Sequence, residues 1–328
     1  MNDVAPVPTP TLLTRKASPA GLLYESRFKN WDKRASVRVK PERLLGPHDA
    51  GRLHFPPELV PVVSHPLVAE RPEGTVERML VQRLHQYLHF TTVLEQSAVM
   101  PVTTEIGLGR IGFPLPQEML QDAFKITTDE AWHAQFSYDL GRQVATATGV
   151  PALLPEHPRF VGRLARLGAR LDPALRGAEA LLFSIISETL ISAILSDLPR
   201  DRRLPTAVRE LVRDHAEDEG RHHAYFRTLL RHFWSELDSR RRESAAAVIP
   251  DLVFAFLEPD YDAVRLLLLD AGLGPAEAEG VLADCYPAAS VRAGVAAAAR
   301  STTRYFTELG ALDSARTAEA FAAAGLTA

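Results

Sequence analysis

From Thr75 onward, apolar side chains recur at three- and four-residue intervals, and no stretch alternates apolar and polar residues over the length of a strand. Met79, Leu80, Leu84, Tyr87, Leu88, Thr91, Leu94, Glu95 and Ala98 fall on one stripe of a first helix. Pro114-Leu-Pro116 opens a second helix, with Pro116 near its first turn; Gly149 and Pro151 stop it after Thr148. A shorter helix follows Pro158. A nearly uncharged helix spans about 175–198 and ends before Pro199, and Pro205 opens a long helix reaching about Leu237. From Ser239 the pattern stays helical but plainer, with breaks at Pro259, Gly274-Pro275 and Pro287. Residues 1–72 differ. Pro6, Pro8, Pro10, Pro56, Pro57 and Pro61 block regular helix there, and no periodicity persists. The pattern predicts an all-α protein: a Pro-rich extended arm over 1–72 that packs on a helical domain over 73–328.

Composition narrows the function classes. A chain of 328 residues with 46% hydrophobic and 24% charged residues reads as soluble and globular. A formal net charge of −4 gives no bulk attraction for nucleic acid or an anionic membrane, so neither is expected as a partner. The N-terminal MNDVAPVPTPTLL lacks the basic and apolar regions of a signal peptide, which makes the cytoplasm the expected compartment. Ala180–Ser196 carries Glu188 at its middle, so it is expected as a buried core helix rather than a membrane span. The lone Cys285 excludes an intramolecular disulfide and a thiolate cluster. Any metal site must then use nitrogen and oxygen donors, which suit iron or manganese as well as zinc.

The chemistry concentrates in His215-Ala-Glu-Asp-Glu219-Gly-Arg-His222. Successive helical residues turn by about 100°, so His215, Glu219 and His222 point within an arc of about 60°. Glu130-Ala-Trp-His133 is a second Glu-x-x-His pair, and Glu95 and Glu188 are carboxylates within apolar helices. Taken singly these are weak signals, because a Glu-x-x-His pair is ordinarily a solvated helix face. Glu188 is less easily explained: leucine and isoleucine surround it on every face, and an unpaired buried carboxylate costs several kcal/mol. The joint order Glu, Glu-x-x-His, Glu, His-x-x-x-Glu-x-x-His on four helices is the inward-facing donor set of ferritin-like di-iron four-helix bundles. Here the bundle would carry extra C-terminal helices and the N-terminal arm. Bridging carboxylates hold two cations close together, and imidazoles add directional neutral ligation. Structural zinc sites are more often mononuclear and Cys-rich, so iron is favoured, with manganese second. Asp129 and Asp218 directly precede Glu130 and Glu219 and are expected to hydrogen-bond the ligand imidazoles, and Asp214 is expected to do the same.

Seven such residues, with the additional imidazole His215 one turn before Glu219, resemble the AurF-type aminobenzoate N-oxygenases and the arylamine oxygenases of the chloramphenicol pathway. The motifs span roughly residues 70–235. The resemblance implies that Glu95 and His133 bind one iron, that Glu188, His215 and His222 bind the other, and that Glu130 and Glu219 bridge them. It implies O₂ as co-substrate, a peroxo di-ferric species, and oxidation of an amine to hydroxylamine, nitroso or nitro product in secondary metabolism. The sequence carries no flavin or iron–sulfur signature, so an external reductant is expected, with electrons from a partner donor or from the substrate's own intermediates. It also implies a homodimer. Tyr87, Leu88 and Thr91 are expected to line the substrate pocket. The only nearby arginine on that helix is Arg83, more than three turns before Glu95, so a neutral, apolar pocket is expected. That points to a larger neutral amine, or one delivered on a carrier protein, rather than a small free amino acid. Two other readings stay open on the residues alone. One is a di-iron hydroxylase or desaturase acting on C–H bonds. The other is a metal-storage or redox bundle without an organic substrate, against which the long helices after residue 240 weigh.

Overall fold

Among the described residues the arm consists of short helical turns joined by coil. The computed structural model describes residues 24–46, 49, 51–195 and 197–327, so Pro6, Pro8 and Pro10 lie outside the described residues. The arm forms α1 (Trp31–Arg34), α2 (Ser36–Val39), two 3₁₀ turns (Pro57–Leu59 and Pro61–Ser64) and α3 (Pro66–Ala69). Proline is compatible with the first turn of a helix, where its missing N–H has no intrahelical partner. Each of the turns at 57, 61 and 66 begins on a proline for that reason. The arm is bound to the core by Phe28, Phe55, Val60, Val62, Val63 and Val68, all buried.

The helical domain follows the expected sequence of elements. It comprises α4 (Thr75–Leu94), a π-helical segment (Glu95–Val99), α5 (Met100–Gly107), α6 (Gln117–Thr148), α7 (Arg159–Gly168), α8 (Ala178–Ile194), α9 (Thr206–Ser235) and α10 (Ser239–Leu257). The chain finishes with α11 (Tyr261–Asp270), α12 (Pro275–Cys285), α13 (Ala288–Glu308) and α14 (Ala315–Ala323). No strand occurs among the described residues. None of their helices is long and apolar enough to cross a membrane. Pro116 and Pro205 stand at the N-caps of α6 and α9. Gly149 ends α6 at φ 68°, a left-handed conformation that costs glycine little.

Four long helices form the bundle. The α4–π–α5 run packs on α6, α8 packs on α9, and α6 against α9 joins the two pairs. Buried positions on α9 (Val208, Leu211, Val212, His215, Asp218, Glu219, His222, Tyr225, Phe226) recur every three to four residues, so polar donors share one stripe with the core apolar groups. α10 and α13 lie against α8, and Thr302 on α13 bonds Thr189 Oγ1 at 3.0 Å, next to Glu188. The C-terminal helices therefore seal the back of the Glu188 helix.

The π segment has a local cause. Pro101 cannot donate to the carbonyl four residues back, and its ring would collide with that carbonyl in a regular helix. One wide turn relieves the conflict: Met100 N–H bonds Glu95 O, five residues back, and the chain resumes as α5. The widened turn begins on Glu95 itself.

Candidate metal centre

Seven side chains that sequence spacing singled out converge inside the bundle. Glu95 comes from the π segment, Glu130 and His133 from α6, Glu188 from α8, and His215, Glu219 and His222 from α9. None is more than 1% exposed. Two overlapping groups could each hold a cation: Glu130, His133, His215 and Glu219, and Glu130, Glu188, Glu219 and His222. Glu130 and Glu219 belong to both, as bridging carboxylates must. Glu95 Oε1 stands 3.8 Å from His215 Nε2, at the edge of the first group. His215 falls in the first group, and its ring lies against that of His133, with 4.2 Å between centroids. The reason is that His215 sits one turn before Glu219, at the level of α9 that faces His133.

The donor chemistry fits metal ions. Both oxygens of Glu95, Glu188 and Glu219, Oε1 of Glu130, Nε2 of His215 and Nδ1 of His222 are buried without a hydrogen-bond partner. His222 Nδ1 and Glu130 Oε1 approach to 2.8 Å, and His215 Nε2 and Glu219 Oε1 to 3.2 Å, yet none of these four atoms completes a hydrogen bond. Lone-pair atoms facing a common point give that arrangement. An orphaned buried polar atom ordinarily costs about 1–3 kcal/mol, and more when charged, so so many in one place need a cation to satisfy them.

The electrostatics agree. Burial, then the charges of Glu130 and Glu188, push the Glu95 carboxyl well above the usual carboxylate range. Burial, Glu219 and Glu130 do the same to Glu188. Burial opposes charge on His133, but Glu130 and Asp218 outweigh it and its pKa is pushed up to about 10. His222 is likewise raised, against its burial, by Glu130 and Glu219. Burial and the His133 charge lower His215. Protons on this cluster thus stand in for the positive charge it is built to hold.

The outer bonds of the imidazoles cross between helices. Asp218, which precedes Glu219 on α9, bonds His133 Nε2 on α6 at 3.1 Å. Asp129, which precedes Glu130 on α6, bonds His222 Nε2 on α9 at 3.2 Å. Each Asp fixes the ring on the opposite helix and leaves its Nδ1 aimed at the centre. Asp214 does not share this role. Its oxygens lie 2.7 Å from Arg43 Nε and 3.4 Å from Lys40 Nζ of the arm, because it sits one turn too far toward the N-terminal end of α9.

Three arm residues that the sequence reading passed over reach this network. Trp31 Nε1 donates to Asp129 Oδ1 at 2.8 Å, the Ser36 amide donates to Asp218, and the Phe28 ring stacks on that of His222. The available signal was Phe28 and Trp31 standing in the mostly charged stretch Glu25–Arg34.

A cavity of about 430 Å³ lies about one helical turn from the centre, and none of the seven side chains lines it. Thr91 and Ile191 line it, one helical turn from Glu95 and Glu188, and Tyr87 lines it as expected. Leu88 does not: it is buried against α6, with Cδ1 3.9 Å from where a Cβ on Gly141 would stand. The wall is not purely apolar: Arg83 and Arg159 are on it, with Glu58, Glu258 and Asp260. Arg159 comes from a distant helix, where position along α4 gives no hint of it.

A buried cluster of four glutamates and three histidines on crossing helices defines the ferritin-like di-iron class of helical bundle. Within that class the chain belongs to the AurF family of p-aminobenzoate N-oxygenases, whose profile matches residues 24–310. It is similar to the 4-aminobenzoate N-oxygenase of Streptomyces thioluteus, with 25% identity over 258 residues, 75% of each chain. Family membership makes this chain a non-haem di-iron N-oxygenase.

Proposed function

We propose that the protein uses two iron ions, O₂ and electrons from an external donor to oxidise the nitrogen of an arylamine. The product is a hydroxylamine, nitroso or nitro compound in secondary metabolism. The observation that carries this reading is the convergence of unpartnered donor atoms beside a cavity, in a chain of the N-oxygenase family. When bound, the two irons would supply O₂ activation and the redox equivalents.

The chain's own residues account for the rest. Glu130 and Glu219 are the bridging ligands in this reading. Glu95, His133 and His215 complete one site, and Glu188 and His222 the other. Asp218 and Asp129 hold His133 and His222 in the tautomer that presents Nδ1 to the centre. Thr91 and Ile191 position the amine end of the substrate near the carboxylates, and the apolar wall of Phe160 and Phe256 excludes water from the aromatic ring. The assembly is a homodimer in this reading, a point that rests on the family resemblance.

Turnover of p-aminobenzoate and longer arylamines under ¹⁸O₂ tests the reaction. The expected product carries label on nitrogen and retains every C–H bond. Label on carbon, or a desaturated product, would replace this reading with a C–H oxidase.

A further inference from the structure

Two arginines on the cavity wall have no carboxylate bonded to their guanidinium among the described residues. Arg83 projects from α4, and its guanidinium lies over the Phe55 ring, 5.1 Å from the centroid. Arg159 opens α7, with its guanidinium over Tyr261 at 5.0 Å, and its Nη1 is buried without a hydrogen-bond partner. Among the described residues, neither guanidinium makes a hydrogen bond or ion pair with a carboxylate. The acidic residues of the same wall are all committed elsewhere. Glu58 pairs with Arg203 and Glu258 with Arg163, while Asp260 accepts the backbone N–H groups of Arg159, Asp262 and Ala263.

An arginine stays charged under all ordinary conditions, and its planar fork matches an oxyanion in two parallel hydrogen bonds. Burial holds the Arg83 guanidinium below its usual range, with Tyr286, Tyr87 and Asp260 offsetting part of the effect. Both arginines are half-buried, and Arg159 Nη1 is the nitrogen fully shut off from solvent, so an anion entering the cavity would meet donors with spare hydrogen-bonding capacity. Two other wall groups, Tyr87 Oη and His89 Nε2, are also buried without partners and face the same need for a polar ligand.

Spacing adds a length requirement. Arg83, Tyr87 and Thr91 follow one another at four-residue intervals along α4, and Glu95 comes four residues later at the start of the π segment. At the helical rise, Arg83 stands about 18 Å from Glu95 along the axis. Helical side chains lean toward the N-terminus, so the arginine does not lean back toward the carboxylate end. A single ring bearing amine and carboxylate directly is too short to reach both ends.

We propose that Arg83 and Arg159 form a receptor for an oxyanion on the substrate, and that its distance from Glu95 selects arylamines whose anionic group is carried on a spacer beyond the ring. This rests on the N-oxygenase reading for the position of the amine. The oxyanion is the carboxylate of a free acid or the phosphate of a carrier's pantetheine arm.

Calorimetric titration of the metal-free, full-length protein tests it without turnover. The probes are p-aminophenylbutanoate, its primary amide, p-aminobenzoate, and the phosphorylated pantetheine thioester of p-aminobenzoate with its dephosphorylated form. The butanoate is expected to bind about tenfold or more tightly than its amide, and more tightly than p-aminobenzoate. Arg83→Gln and Arg159→Gln should each erase most of the acid-over-amide preference. Melting temperatures of both variants are measured alongside, so that a lost preference is read only from folded protein. If the phosphorylated thioester alone shows the Arg83 dependence, the receptor stands with a carrier arm as its source. Equal binding of acid and amide together with equal binding of the two thioester forms, or a preference that survives in the double variant, would overturn the receptor. Tighter binding of p-aminobenzoate than of the butanoate would overturn the length requirement. Iron stoichiometry is measured on the same preparations: loss of iron binding with the anion preference intact sinks the oxygenase reading and leaves the receptor standing.

Discussion

Single residues carry most of the argument for the centre, and sequence exposed them unevenly. Asp-Glu-x-x-His occurs twice, at Asp129–His133 and Asp218–His222, and helical geometry alone places each Glu and His on one face. That each Asp serves the imidazole of the other helix was not legible, because it depends on how closely α6 and α9 approach. The same limit applies to Asp214, whose spacing looks equivalent but whose level on α9 puts it against Arg43. Asp218→Asn keeps the shape while weakening the acceptor for His133. It is expected to lower iron affinity by about 10–100-fold, read by competition with a chelator of known affinity, with Asp214→Asn changing it far less. Equal effects of the two substitutions would remove the distinction drawn here.

Among the elements, helix ends were readable because proline and glycine mark them physically. Pro116, Gly149 and Pro205 bound α6 and α9 where their chemistry requires. The π segment was not anticipated, although Pro101 in the middle of a helical run was its signal. The arm was the least legible element. Its turns are too short to show a period, and its role shows only through contacts at Asp129, Asp218 and His222. Trp31→Phe removes one N–H donor and leaves an aromatic ring in place. It should destabilise the fold by about 1 kcal/mol in denaturant unfolding and weaken iron binding several-fold. Unchanged iron affinity at the expected loss of stability would make the arm a cover and nothing more.

For the whole molecule, the cluster links folding, protonation and metal. Cations that bind only the folded chain stabilise it by mass action, so iron loading should raise the melting temperature and a chelator should reverse the rise. Protons and metal compete for the same atoms. His133, with its pKa pushed up to about 10, and the raised Glu95 and Glu188 must give up protons on binding. Iron loading should therefore release protons into weakly buffered solution, and affinity should fall as pH decreases from neutrality. Metal binding independent of pH would contradict the placement of His133 at the centre. At this scale sequence also missed the charged groups of the cavity, because Arg83 and Arg159 reach its wall from α4 and α7, with the whole of α6 between them in the chain.

The central claim is that one site of seven protein ligands holds two irons. Anaerobic titration of the full chain with Fe(II), followed by desalting and iron quantification, tests it most directly. The account predicts two irons per chain, falling to one or fewer in Glu188→Ala and in His215→Ala while the helical content of both variants is retained. No stoichiometric iron in the parent protein, or two irons still bound in both variants, would contradict it.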